Sequence, residues 1–549
     1  MPEPRPVRFR YDGREAVARP GETLLGALAR RELPLLQRSI RYHRPRAPFC
    51  GIGHCTGCLL RVNGRPNVRA CRYVPHDGDV ALSENAWPSV RFDLQGAFDG
   101  LFPRGIDTLR GFRRPAVATR LYQRVVRRLA GYGRAPDPDA ARSLEGPALR
   151  REVDVLVIGG GASGRAAAEH AARAGRRTLL LDRALTAEPV PGAEVVAATT
   201  VAVLPPPSAV GFTALAVTEP AAPLTVTARS VVAAPGTYDG ALLFGGNDRP
   251  GVVSADAALQ LSAPDRPAPF RRAIVFGGGA RAQEVVERLD GAVVAIVAPG
   301  AIPPELVAAA SERGIPLYPR SLIRTTNGRR RLRSVELAAR GGGRRFALAA
   351  DTLVLAHRRL PHGQLFFQAG ARMVWRGGPG AYFPEIDPHG ATTVPGLYAV
   401  GPAAGVVRER SAESGRRAVA ALLGAPTPGP GLPLEPAEGP HELEGYYREL
   451  LRGPRPGRWV ACPCEDVLLE EIADAHRRGY RGLEVVKRYS GVGTGLCQGR
   501  YCLPDTILLL ALLEGRSPPE VGYVTQRPPV VPVPIAALAR AAVPPEAPP

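Results

Sequence analysis

The sequence predicts a multidomain α/β chain, and three observations predict it. Two Gly-rich strand–turn–helix units follow one another in the middle of the chain, two sets of four cysteines flank them, and an alternating hairpin pattern opens the N-terminus. A length of 549 residues exceeds one hydrophobic core, because single cores stop growing at roughly 250–300 residues. The hydrophobic share of 45% and the charged share of 22% match globular averages, which excludes wholesale disorder and fibrous designs.

No run of about twenty apolar residues occurs, and the opening MPEPRPVRFR lacks the apolar centre of a signal peptide. A cytoplasmic protein without an integral membrane span is therefore expected. The net charge of +20 rests almost wholly on arginine, Lys487 being the single lysine. The arginines are spread along the chain rather than gathered in a stripe interleaved with aromatics, so nucleic-acid binding is not expected.

The segment VRFRYDGREAVARPGETLLGALARR reads as strand, turn at Asp12-Gly13, strand, then a helix from near Glu22, the start of a β-grasp domain. Cys50, Cys55, Cys58 and Cys71 follow with the pattern C-x4-C-x2-C-x12-C, the spacing of plant-type 2Fe-2S ferredoxins. Three thiolates from one loop need a tightly turned backbone, and Gly51, Gly53 and Gly57 supply it. The fourth thiolate comes from the next strand. A zinc site and a redox disulfide between Cys55 and Cys58 are the alternatives, although zinc sites usually show two C-x2-C pairs or histidine ligands. His54 is read as a loop residue. The ferredoxin-like 2Fe-2S domain is expected over 1–95 and an Arg/Pro-rich connector over 96–150. The connector's amphipathic run RLYQRVVRRLAGYG reads as an interdomain helix, with a membrane-surface helix as the alternative.

From Val153, VDVLVIGGGASGRAAAEHAARAGRRTLLLDR gives strand, Gly-rich turn, Ala-rich helix and a second strand ending in an acid. In this Rossmann fingerprint Gly159 makes the tight turn, Gly161 lets backbone approach a pyrophosphate and Gly164 permits close helix–strand packing. Ala162 and Ser163 open the helix whose N-terminus faces the phosphates. Asp182, followed by Arg183, is placed to hold a ribose hydroxyl. FAD is the expected ligand, with NAD or ATP left open.

A second copy, RRAIVFGGGARAQEVVERLDGAVVAIVAPG, has Gly277, Gly279 and Ala282 at the fingerprint positions. Its second strand ends in Val297-Ala298, without the acid. An adapted or ligand-free scaffold and a nicotinamide domain both remain open for this nested unit. The chain returns through ADTLVLAHRRLP to GATTVPGLYAVGPAAGV, which resembles the closing strand and turn of glutathione-reductase-type flavoproteins. Gly401 and Gly405 stand in that turn, Gly401-Pro402 replacing the usual Gly-Asp, and Gly236 keeps a close approach in VVAAPGTYD. The resemblance implies an FAD/dinucleotide-binding domain over 151–252 and 361–423, with the nested NAD-like Rossmann domain over 253–360.

After a Pro/Gly-rich linker expected over 424–456, Cys462, Cys464, Cys497 and Cys502 form C-x-C-x32-C-x4-C. The intervening EDVLLEEIADAHRRGYRGLEVVKRYSG has helical periodicity with a second short helix, which places both Cys pairs on loops at helix ends. A helix starting after Cys502 would offer N–H groups and a positive dipole to an anionic cluster. This small, mainly helical domain, expected over 457–525, resembles the bacterioferritin-associated-ferredoxin-like (BFD-like) 2Fe-2S domain down to CQGRYC. Zinc is the alternative, and 526–549 reads as a Pro-rich tail.

Taken in order, RSIRYHRPRAPFCGIGHC, PNVRAC, SENAWPSVRFDLQGAFDGLF, FGGNDRPGV, CQGRYC and TQRPPVVPVPIAALA resemble the alpha subunits of heteromeric sarcosine oxidases. Their relatives include hydrogen cyanide synthase, opine oxidases and dye-linked proline or hydroxyproline dehydrogenases. The resemblance implies a hetero-oligomer with an amine-oxidising flavoprotein (beta) subunit that oxidises a secondary amine or imino acid of the sarcosine, proline, hydroxyproline or opine class. Electrons would leave through flavin and two 2Fe-2S clusters to an external acceptor that the residues do not identify. FMN at a subunit interface belongs to the same expectation. Sarcosine oxidase alpha subunits continue into an aminomethyltransferase-like domain that is not seen in this sequence, so folate-linked methylene transfer is not expected. The intact ferredoxin cysteines favour a dehydrogenase over an oxygen-using oxidase. No general base stands out and no C-x-x-C lies beside the flavin fingerprint, so catalytic residues are left unknown. A self-sufficient NAD(P)H-dependent reductase and a non-redox scaffold holding a nucleotide structurally are the rival readings.

Overall fold

The computed structural model describes residues 5–94, 96, 148–183, 189–205, 211–218, 222–262, 268–341, 343–426, 431–434, 442–452 and 458–541. The amphipathic run of the connector lies outside them, as do parts of the linker. The chain divides into two compact units. The first is built from the described residues within Met1–Ala140, Asp239–Arg358 and Glu442–Leu513, the second from those within Ala141–Tyr238, Arg359–His441 and Glu514–Pro549.

In the first unit, strands Val7–Tyr11 and Arg14–Ala18 form a hairpin with Tyr11 opposite Arg14. Its two-residue turn puts Asp12 at φ 47° and Gly13 at φ 77°, the left-handed pair that such hairpins demand and that Asp-Gly supplies at low cost. Strand Val80–Leu82 lies parallel to Val7–Tyr11, and Leu59–Val62 and Arg65–Arg69 complete a five-stranded sheet. Helix Leu24–Leu28 covers it, with the Thr23 hydroxyl accepting from the Gly26 N–H at 3.2 Å.

The nested Rossmann unit is a parallel sheet in the order Val252–Ser254, Thr352–Leu355, Ala273–Phe276, Val293–Val297 and Leu317–Tyr318. Its strands are continuous apolar runs because both faces are covered. Phe9, Leu24, Leu25 and Leu60 share one buried cluster with Val253, Ala257, Val275 and Ile296, so the hairpin domain and the nested domain have one core. Helices Leu469–Arg477, Leu483–Ser490 and Leu503–Glu514 carry the C-terminal cysteine region. Within the expected linker, helix Glu442–Leu451 buries Leu443, Tyr446, Tyr447 and Leu450. That i, i+3, i+4, i+7 spacing is one face of a helix, a period that the Pro-rich surroundings obscured.

The second unit is a six-stranded sheet in the order Phe212–Thr218, Glu194–Leu204, Thr178–Asp182, Leu149–Ile158, Pro223–Ala233 and Leu397–Ala399. Helix Ala162–Arg173 packs against helix Ser411–Leu422. Their contact is close because Gly415 has no side chain: a Cβ there would stand 2.0 Å from the Ser163 carbonyl oxygen. The expected Pro-rich tail holds a short helix, Ile535–Arg540. The Val530 N–H donates to the Val201 carbonyl at 2.8 Å and the Thr225 hydroxyl to the Ala541 carbonyl at 3.0 Å, which fixes the tail on this sheet.

Candidate iron-sulfur and dinucleotide sites

Cys50, Cys55 and Cys58 lie on the loop after strand Pro45–Arg46, and Cys71 follows strand Arg65–Arg69. All four are buried, and none of the eight cysteines is in a disulfide. The loop turns its N–H groups onto sulfur: Gly53 to Cys71 Sγ at 3.1 Å, Cys55 to Cys50 Sγ at 3.2 Å, His54 to Cys50 Sγ at 3.4 Å and Gly57 to Cys55 Sγ at 3.4 Å. Such donors favour the anionic sulfur. Gly57 is required by contact, since a Cβ would meet the Ala47 carbonyl oxygen at 2.3 Å. Burial opposes ionisation of Cys50, but hydrogen bonds from the Cys55 and Cys71 thiols hold it well below the usual thiol range. Cys55 and Cys71 are pushed up in turn, chiefly by their hydrogen bonds to Cys50. Four buried thiols gathered in this way suit a ligand that takes them as thiolates and releases their protons.

In the second set, Cys462 ends strand Val460–Cys462 and Cys464 sits on the following turn, whereas Cys497 and Cys502 lie on the loop before helix Leu503–Glu514. The expectation of loops at helix ends therefore holds for the last two and not for Cys462, whose strand pairs with Val467–Leu468. The Thr506 N–H donates to the Cys502 carbonyl at 2.9 Å, so a helix starts directly after Cys502, as expected. Cys464 bonds Cys497 and Cys462 bonds Cys502. The Cys464 hydrogen bond lowers the Cys497 thiol to about 7. Sulfurs grouped in twos fit a 2Fe-2S centre, in which each iron takes two thiolates. Among the described residues no group of three or more His, Cys, Asp or Glu is arranged to hold a single metal ion.

The two sets meet. The Thr56 hydroxyl, next in sequence to Cys55, donates to Cys464 Sγ at 3.4 Å. Cys55, Thr56, Cys464, Phe49, Asp248 and Tyr501 line one cleft. Beside it, Arg46 pairs with Asp248 at 3.0 Å and with Asp466.

In the second unit the fingerprint has the predicted form. Gly159 adopts φ +103°, and a Cβ would stand 2.1 Å from the Ala234 carbonyl oxygen; one on Gly164 would stand 1.8 Å from the Gly159 carbonyl oxygen. Gly161 caps helix Ala162–Arg173 and faces open space, with nothing within 4 Å of its would-be Cβ. The open space lies at a helix N-terminus, whose first N–H groups have no intrahelical acceptor and whose dipole favours an anion. Asp182 ends its strand, where Oδ2 accepts from the Gly160 N–H at 2.5 Å and so braces the turn, with Arg183 next to it. Gly401 donates its N–H to Ser414 Oγ at 2.9 Å, and a Cβ on it would meet Ser163 Oγ at 2.2 Å. The closing turn therefore lies on the fingerprint helix, and Gly405 ends that turn at φ +81°. Gly236, at φ +73°, borders open space after strand Pro223–Ala233.

The nested unit differs. Gly277 repeats the tight approach, with a Cβ 2.4 Å from the Ala356 carbonyl oxygen. Arg281, two residues past Gly279, is bound by Asp239 at 2.9 Å, Asp256 at 2.5 Å and Glu284 at 2.7 Å. Burial opposes its charge, but the Asp239 and Asp256 carboxylates hold it protonated. Three acids thus surround Arg281, in the first turn of the helix that follows the second fingerprint. Sequence reasoning missed this cluster, because Asp239 and Asp256 lie outside the fingerprint and carry no motif.

Comparison with known proteins agrees with this arrangement. Residues 4–86 match the model of a 2Fe-2S iron-sulfur cluster binding domain and residues 457–542 that of the sarcosine oxidase A3 domain. The chain is 30% identical to the alpha subunit of sarcosine oxidase from Rhizobium meliloti (strain 1021), over 97% of this chain and 57% of that protein. It is 28% identical to an opine oxidase subunit from Agrobacterium tumefaciens (strain Ach5), over 39% of this chain and 45% of that protein. The chain thus spans only about half the length of these curated relatives. The crystal structure of L-proline dehydrogenase from P. horikoshii shares the fold, with a TM-score of 0.66 at 21% identity over 96% of both chains. The chain is sarcosine-oxidase-alpha-like, with a 2Fe-2S cluster binding domain at one end, a sarcosine oxidase A3 domain at the other and a partial likeness to opine oxidase subunits.

Proposed function

We propose that the chain is the electron-transferring alpha-type subunit of a heteromeric oxidoreductase acting on CH-NH donors. The substrate is a secondary amine or imino acid of the sarcosine, proline, hydroxyproline or opine class, oxidised at a separate flavoprotein partner. The observation that carries this reading is the meeting of two four-cysteine sets at Thr56 and Cys464, with seven of the eight thiols buried and Cys464 half-buried. A flavin exchanges one or two electrons and a 2Fe-2S cluster takes one, so together they convert a two-electron oxidation into single-electron transfer.

Cys50, Cys55, Cys58 and Cys71 would hold one cluster, and Cys462, Cys464, Cys497 and Cys502 the other. Gly159, Gly161, Ala162, Ser163 and Gly164 offer backbone to the FAD pyrophosphate, and Asp182, Arg183, Gly236, Gly401 and Gly405 border the same site. Around the cysteines, backbone N–H groups neutralise thiolate charge and the buried Leu60, Trp459 and Tyr501 exclude water. Both curated relatives are named as subunits, which supports a hetero-oligomer with an amine-oxidising partner. Among the described residues no helix is long and apolar enough to cross a membrane.

The test is anaerobic purification of the full chain, alone and with its co-purifying partner. Iron and acid-labile sulfide in equal amounts, extractable flavin, and dye reduction by sarcosine, proline, hydroxyproline or an opine only when the partner is present are expected. Bleaching by NADH in the isolated chain would favour a self-sufficient reductase, and iron-free folded protein would end the electron-transfer reading.

A further inference from the structure

Thr56 is not a metal ligand by any spacing rule, yet it stands where the two thiol sets come together. Its Cα is about 3.8 Å from that of Cys55, as for any neighbours across a trans peptide. Its hydroxyl reaches Cys464 Sγ, 408 positions away in sequence, at 3.4 Å. The backbone carbonyl of Thr56 accepts from the side-chain amide of the buried Gln37, which holds the residue in place. Arg46 and Asp466, each buried, tie the same two segments together beside it. The contact is therefore built into the fold and is not a brush between surface loops.

We infer that Thr56 is the bridging and potential-setting residue between the two centres. Its hydroxyl donates to Cys464 Sγ and favours the extra negative charge that reduction places on the C-terminal centre, and the path Cys55–Thr56–Cys464 is a short bonded route between the sets. The inference rests on the iron-sulfur reading proposed above. Hydrogen bonds to cluster sulfurs are among the levers that set reduction potential, and this one is donated by the loop of the other centre. The exchange is balanced within the chain: the N-terminal centre is oxidised by one electron as the C-terminal centre is reduced by one, with no bond made or broken. Thr56 acts through Cys464 and is a positioning residue.

The experiment is potentiometric reduction of the full chain, followed by electron paramagnetic resonance, in the parent, Thr56→Val and Thr56→Ser. Valine keeps the shape and loses the donor, whereas serine keeps the donor. The expected result is that Thr56→Val weakens reduction of one of two 2Fe-2S signals about tenfold, which is about 59 mV for a one-electron couple. The other signal should stay put, and Thr56→Ser should behave as the parent. Cys464→Ser identifies the shifted signal as the C-terminal centre. Two unmoved midpoints in Thr56→Val, or an equal shift in Thr56→Ser, overturn the inference while leaving the iron-sulfur reading intact. Absence of two such signals in the parent overturns both.

Discussion

Arg46 and Asp466, separated by 420 positions in sequence, form a buried ion pair that joins the N-terminal cysteine segment to the C-terminal one. The other carboxylate oxygen accepts from the N–H groups of Arg41 at 3.1 Å and Tyr42 at 3.3 Å. Burial would push the Asp466 carboxyl up, but Arg46 and Arg44 hold it below the ordinary carboxylate range. Taking one partner away leaves a buried charge, which costs ~3–5 kcal/mol in general. Because Asp248 remains beside Arg46, Asp466→Leu should cost about 3 kcal/mol, seen as a lower urea midpoint for the first unit. The double variant Arg46→Met with Asp466→Leu should recover much of that. An unchanged midpoint in the single variant would show that the pair is structurally idle.

A second buried pair has its own pH signature. Arg358 and Asp505 meet with both side chains 3% exposed. Burial raises the Asp505 carboxyl, and the Arg358 charge works against that rise. Removing the cation in Arg358→Met raises the carboxyl further. A carboxyl raised above its unfolded value contributes stability that is complete below the unfolded pKa and is lost as pH climbs through the folded one. The melting-temperature gap between Arg358→Met and the parent should thus widen as pH rises above the ordinary carboxylate range. A gap that is flat with pH would mean that Asp505 stays ionised by other contacts.

The fingerprint glycines separate folding from binding. A Cβ on Gly161 meets nothing within 4 Å, whereas one on Gly164 would overlap the Gly159 carbonyl oxygen at 1.8 Å. Gly161→Ala should melt like the parent yet retain less than about a tenth of its flavin, a loss of ~1.4 kcal/mol or more in binding. Gly164→Ala should lose both flavin and thermal stability. Extracted flavin per chain and calorimetry on the same samples decide it; full flavin in Gly161→Ala would place the pyrophosphate elsewhere.

Removing iron should act on one unit only. All eight cysteines belong to the first unit, and structural metal binding adds directly to folding free energy. After anaerobic chelation, amide hydrogen exchange should speed up in helix Leu469–Arg477, while helix Ala162–Arg173 keeps its protection. Equal loss of protection in both helices would contradict this.

Features written in neighbouring residues were legible without coordinates. The Asp12-Gly13 turn, the helix after Cys502 and the Gly159–Gly164 fingerprint each follow from a handful of adjacent side chains, because φ preferences, caps and close backbone approaches are local. The helix Glu442–Leu451 was legible in principle through Leu443, Tyr446, Tyr447 and Leu450, but the surrounding prolines and glycines pointed to a linker. The Arg281 cluster was not legible, because Asp239 and Asp256 reach it only once the nested sheet has formed.

The order and spacing of the cysteines and glycines determined which ligands this protein is equipped to take. The folded chain alone decided that Thr56 touches Cys464 and that Arg46 finds Asp466. Cysteine spacing is a property of one loop, whereas contacts across some four hundred positions depend on how separate segments pack, and no local preference encodes that.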